Sequence, residues 1–293
     1  MASTARVPYP GSVPWVPLLL LASLGCPKRV TTDTSPVAAL LAQCDQAWER
    51  RGMAGIEASE EPLDQAYALD PDNPDVLWRL VRQQVTIGLA EETERASTYA
   101  FAEGRSLGVR CLDAVPRVAQ ARAQSWELAM EELTPAQEPC VAWTSIAWAR
   151  WIAAHGGGAS ALDLPRARLL ADTSITFDSD ELSTLGRWAD GLLLATIPDW
   201  AGRSPSFGKT QLDRVRNRRR DDLHVHADRL LLVRDELGAE DVRTSLEEIR
   251  TLDATAPDHA RALERVEASL AGPPPDLAPA TEEPRSEERR VGK

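Results

Sequence analysis

The chain has 293 residues, with 45 acidic against 33 basic side chains and a net charge of −12. That length is ample for a sizeable buried core. An acidic surface excludes nucleic acid and anionic lipid headgroups as partners of the folded body, so membrane attachment must come through a lipid or an apolar element.

Residues 1–25 read as an export signal. Arg6 supplies the positive start, and Val16 to Leu24 is an apolar run of about nine residues, short of the ~20 that cross a bilayer. Ala22-Ser23-Leu24-Gly25-Cys26 then resembles the bacterial lipobox, with Ser23 where Leu is usual. The resemblance implies a lipid on Cys26, which would be the only membrane anchor of the body. The alternative is an ordinary secreted protein cleaved near Ala22 or Gly25. Pro27 in place of Asp implies, by the same resemblance, sorting to the periplasmic side of the outer membrane. Residues 26–35 read as a polar tether.

From Pro36 to residue 271 the apolar period is helical. Ser35 can cap a helix with Pro36 in its first turn, and Leu40, Leu41, Cys44 and Trp48 fall on one face up to Gly52. A second helix is expected from Ser59, with Pro62 in its first turn. Asp70-Pro71-Asp72-Asn73-Pro74 predicts a stop and restart, Asn73 capping a third helix through Val76, Leu77, Leu80, Val81 and Ile87. Further helices are expected at 92–108, 116–133, 139–154, 161–176, 180–196, 209–236 (breaking near Asp221), 240–253 and 257–271. Short connections make them antiparallel hairpins. Residues 272–293, rich in Pro and charge, read as a disordered tail, and its end, SEERRVGK, resembles a translated adapter, so the native C-terminus is expected to differ.

No residue pattern marks catalysis. Gly208-Lys209-Thr210 resembles the end of a phosphate-binding loop, but Gly202 and Gly208 are too far apart and no strand precedes them. His224 and His226 lie on different sides of a helix and do not chelate one metal together; they are expected at the surface or partly buried. Neither a metal nor a cofactor is expected. Arg214, Arg216, Arg218, Arg219 and Arg220 read as a solvated face paired to nearby acids, with a docking patch for an acidic partner as the alternative. With Cys26 lipidated, Cys44, Cys111 and Cys140 form either one disulfide and a free thiol or three buried thiols.

Tryptophan is the informative residue: nine against three Phe and three Tyr. Trp143, Trp148 and Trp151 share one expected helix, and Trp126 and Trp188 lie on others. Core packing accounts for such residues. The sharper reading is an apolar ligand cleft lined by Trp143, Trp148, Trp151 and Trp188.

Leu40 to Pro71 fits a tetratricopeptide unit of about 34 residues, with Ala47 at the helix crossing and Pro71 at the close. The next window keeps Leu77, Leu80 and Ala100 but lacks the closing Pro. The fold class is therefore all-α: stacked helical hairpins in a degenerate tetratricopeptide-like bundle or solenoid. Several stretches then resemble the T component of tripartite ATP-independent periplasmic (TRAP) transporters. They are Ala47 to Gly52, Ala66 to Asn73, Leu77 to Leu80, Ala142 to Ile152 with Leu162 to Pro165, and Leu185 to Pro198 with Gly202. The chain departs from that family at Asp199 to Pro205, where a Gly-Gly turn is common, and in lacking an Asn from Asp258 to Leu270.

The resemblance implies a non-catalytic, lipid-anchored accessory protein. It would dock a periplasmic solute-binding protein and handle a small apolar or organic-acid ligand, alone or as a homo-oligomer. The alternative is a generic tetratricopeptide-like scaffold for protein–protein interaction on the outer membrane.

Overall fold

Ser35 accepts a hydrogen bond from the Ala38 amide at 3.1 Å, and with Pro36 in its first turn α1 runs Pro36–Trp48. The computed structural model describes residues 35–50, 52–155, 160–252 and 257–271. Signal, Cys26, nearly all of the tether and the C-terminal tail lie outside the described residues.

Gly52 takes the left-handed conformation, φ 53°, and there the chain reverses into α2 (Gly52–Leu69). The expected start at Ser59 is a correction: α2 begins a full two turns earlier and carries Pro62 inside it. An internal proline costs a helix one hydrogen bond. Here the buried stripe Gly55, Ile56, Ser59, Leu63 and Ala66 runs on through it, so packing outweighs the local break. Asn73 caps α3 (Pro74–Ala90) and Thr93 caps α4 (Glu94–Asp113).

The helix expected at 116–133 is two, α5 (Pro116–Arg122) and α6 (Trp126–Glu131), because Ser125 turns its hydroxyl onto the Leu128 amide and starts a new helix. Then follow α7 (Glu138–His155), α8 (Leu164–Ile175) and α9 (Asp180–Thr196). The segment expected from 209 opens at Pro205 as α10 (Pro205–Arg218) and breaks near Asp221 as anticipated. Asp222 caps α11 (Leu223–Leu232) by accepting from the His224 and Val225 amides. Last come α12 (Ala239–Thr251) and α13 (Pro257–Ala271). The described residues form helices and turns and no strand. Among them, no helix is long and apolar enough to cross a membrane.

The helix α7 is the axis of the fold. It is buried nearly all round from Cys140 to Ile152 and packs on α3, α4, α8 and α9. Its approach to α4 is close because Gly108 lacks a side chain: a Cβ there would stand 2.1 Å from the Thr144 hydroxyl. Cys111 and Cys140 join the same two helices in a disulfide, with Cα atoms 5.9 Å apart, and Cys44 remains a buried free thiol.

Hairpins stack in order, α1 with α2, α3 with α4, α8 with α9, and α9 with α10. The stack then curls back on itself. Ala262 and Val266 of α13 are buried with Leu223, Leu230 and Ile249 of α11 and α12. Arg261 of α13 reaches across to donate to the Ala90 carbonyl, and its other terminal nitrogen lies 2.9 Å from Glu92, at the end of α3. The last helix therefore meets the third, and a space is left between them.

Candidate functional site

That space is a cavity of about 600 Å³, within the usual range for small-molecule sites. Its wall is made largely from helix ends. Trp48 closes α1, Asp180 and Glu181 open α9, Arg218 closes α10, and His224 lies in the first turn of α11.

One wall is aromatic: Trp48 and Trp143 meet edge to face, centroids 6.3 Å apart, and Trp188 of α9 joins them at the cavity. Each outer ring is fixed from behind by charge. The Arg82 guanidinium lies 4.1 Å from the Trp48 centroid, and burial pulls its pKa down to about 10 against the opposing pull of Asp45. Arg79 in turn holds Asp45 by two hydrogen bonds of 2.9 and 2.5 Å. Trp188 donates its indole N–H to Asp228 at 2.7 Å, and Asp228 is forked by Arg150; both partners are buried.

The polar part of the lining comes from the α10–α11 break, whose Arg219 guanidinium lies 5.4 Å from the Trp188 centroid. Arg218 pairs with Asp180 at 3.2 Å and Arg219 with Asp222 at 2.8 Å. Burial pushes the Asp222 carboxyl up, but Arg219, then His224 and the Val225 amide, outweigh it and hold it below the usual carboxylate range. Arg220 donates its Nε–H to the Asn217 carbonyl at 3.3 Å, and among the described residues it makes no ion pair. The His224 ring packs on His259 of α13, centroids 5.6 Å apart.

Two of the four nominated tryptophans, Trp143 and Trp188, line this cavity; Trp148 and Trp151 do not. Five residues along a helix is about 500°, so Trp148 points some 140° away from Trp143. Trp148 packs on Trp126 at 5.4 Å, and Trp151 on His155 at 4.7 Å, with Arg105 beside both. Trp48 was readable as a core position of α1 but carried no sign of facing a cavity.

His224 and His226 are both buried, not at the surface. They diverge as helical spacing requires: His224 faces the cavity, and His226 Nε2 lies 2.9 Å from the Arg220 carbonyl. Gly208-Lys209-Thr210 is inside α10, with Lys209 paired to Asp213 at 2.9 Å, which leaves no phosphate loop there. Among the described residues no cluster of three His, Cys, Asp or Glu side chains has the arrangement of a metal site. Comparison with known protein families and with characterised protein sequences found no match to this chain.

Proposed function

We propose that the protein is a non-catalytic accessory of a TRAP-type transport system. It is anchored through Cys26 to the periplasmic side of the outer membrane, docks a solute-binding protein and holds a small apolar or organic-acid ligand. The observation that carries this reading is the cavity lined by Trp48, Trp143 and Trp188 together with the Arg218–Asp222 segment. Its walls are held by ion pairs and stacked guanidinium groups, which suits a preformed holder. The Cys111–Cys140 disulfide fits an exported protein, since such bonds persist in oxidising compartments.

The test is purification of the native protein from its own membranes, with native mass spectrometry of bound small molecules and identification of co-purifying proteins. A small ligand together with a periplasmic solute-binding protein is the expected result. Recovery of the protein empty and without such a partner defeats the reading. Labelling with palmitate, abolished by Cys26→Ala, tests the anchor separately.

A second reading, the outer-membrane scaffold, draws on a different observation. Leu162, Trp200 and Phe207 are large apolar side chains left exposed, Trp200 by 74 %. Under that reading a protein partner co-purifies and the cavity stays empty.

A further inference from the structure

We infer that the cavity selects an amphiphilic organic monoanion: a flat apolar body against the tryptophans and a single carboxylate on Arg220. This deepens the reading of the cavity as a ligand holder and rests on it.

The aromatic wall argues against a cation. Aromatic faces attract cations, and a ring of tryptophans near acids is a recognised cage for ammonium groups. In this protein two of the three rings, Trp48 and Trp188, are already served. Arg82 stands over Trp48, and Arg150 and Arg219 lie 5.2 and 5.4 Å from the Trp188 centroid. A cationic ligand would add a further positive charge beside guanidinium groups that are held in place.

The polar wall argues for an anion, and for one negative group only. On a continuous helix three successive arginines diverge by about 100° each. Because α10 ends at Arg218 and Arg219 leaves the helix at φ −117°, ψ 57°, Arg218, Arg219 and Arg220 all reach the cavity wall. The first two are committed to Asp180 and Asp222. Arg220 is exposed and makes no ion pair among the described residues, while its backbone carbonyl is held by buried His226. A guanidinium so placed binds a carboxylate by two parallel hydrogen bonds. Asp221 lines the same cavity, and a second negative group would meet that carboxylate. A dianion is therefore disfavoured where a monoanion is accepted.

Calorimetric titration of the purified protein tests this with four probes that share one ring system: 1-naphthylacetate, its neutral amide, 1-naphthylmethylammonium and naphthalene-1,4-dicarboxylate. The acetate should bind at least about tenfold more tightly than the amide, as expected for a charge-assisted contact, with the ammonium and the dicarboxylate weaker still. Arg220→Gln should lower the affinity for the acetate to that for the amide and leave the melting temperature unchanged, because the side chain is exposed. Equal affinity for acetate and amide, or an Arg220→Gln variant that binds acetate normally, overturns the monoanion assignment and leaves the ligand-holder reading standing. Tighter binding of the ammonium or the dicarboxylate overturns it in the same way. Failure of all four probes to bind overturns both.

Discussion

Asp228→Asn removes one charge from the pair that fixes Trp188 and leaves the other in place. Arg150 is 9 % exposed and Asp228 6 %, and their fork is the principal neutralisation of a guanidinium deep between α7 and α11. Breaking a buried pair by deleting one partner costs about 3–5 kcal/mol, because the survivor stays desolvated and uncompensated. In a domain of this size each kcal/mol lowers the melting temperature by roughly 2–4 °C, so a fall of about 6–20 °C is expected. Thermal unfolding followed by far-ultraviolet circular dichroism reads the loss. The double variant Arg150→Met/Asp228→Leu should recover most of it, since both charges are gone. Recovery is helped because Arg150 Nε has no acceptor among the described residues, so the pair is not fully satisfied as it stands. It stays incomplete because the Trp188 N–H loses its acceptor. An Asn variant that melts within about 1 kcal/mol of the parent would show that Arg150 is solvated or re-paired, and the account of a fixed Trp188 would fall.

Two further outcomes follow from other parts of the fold. The Cys111–Cys140 bridge closes a sequence separation of 29 residues, so Cys111→Ala/Cys140→Ala should cost about 3–4 kcal/mol by loop entropy. A melting temperature indifferent to both the substitution and added reductant argues against the bridge. Burial lowers the His226 pKa, so the unfolded chain binds the proton that the fold refuses. Stability from this residue is full above the ordinary His pKa and declines as pH falls from about 6.5. Melting temperatures between pH 7.5 and 5.5 should therefore drop, and His226→Gln should flatten that drop; an unchanged slope in the variant assigns it elsewhere.

Most helix boundaries were readable because they are local. Ser35 before Pro36, Asn73 before Pro74 and Ser179 before Asp180 each place an acceptor beside free amides, and helices start there. The boundaries that were misread depend on distant contacts or on one side chain. Helix α2 runs through Pro62 because its buried stripe packs on α1, and a single hydroxyl at Ser125 divides what the apolar pattern joins. The closure of the stack was not readable at all. It rests on Arg261 meeting Ala90, 171 residues away, and neither residue bears any mark of the other.

The site was legible only as far as its parts do not depend on that closure. Trp143 and Trp188 were nominated because large aromatics on separate helices must meet something, and helical arithmetic alone could have separated Trp143 from Trp148, some 140° round the helix. The arginine run was expected to pair with nearby acids, and Arg218 and Arg219 do. What turns the run into a cavity wall is the break after Arg218, and the break itself was anticipated near Asp221. Trp48, Asp180, Arg218 and His224 all stand at or next to helix ends, so the sequence marks each as a boundary. Packing of α10 on α9 brings Arg218 to Asp180, and α13, which meets α3, sets His259 beside His224. A site assembled from helix ends is therefore visible in sequence as punctuation, while its identity as one place depends on long-range contacts that have no local pattern.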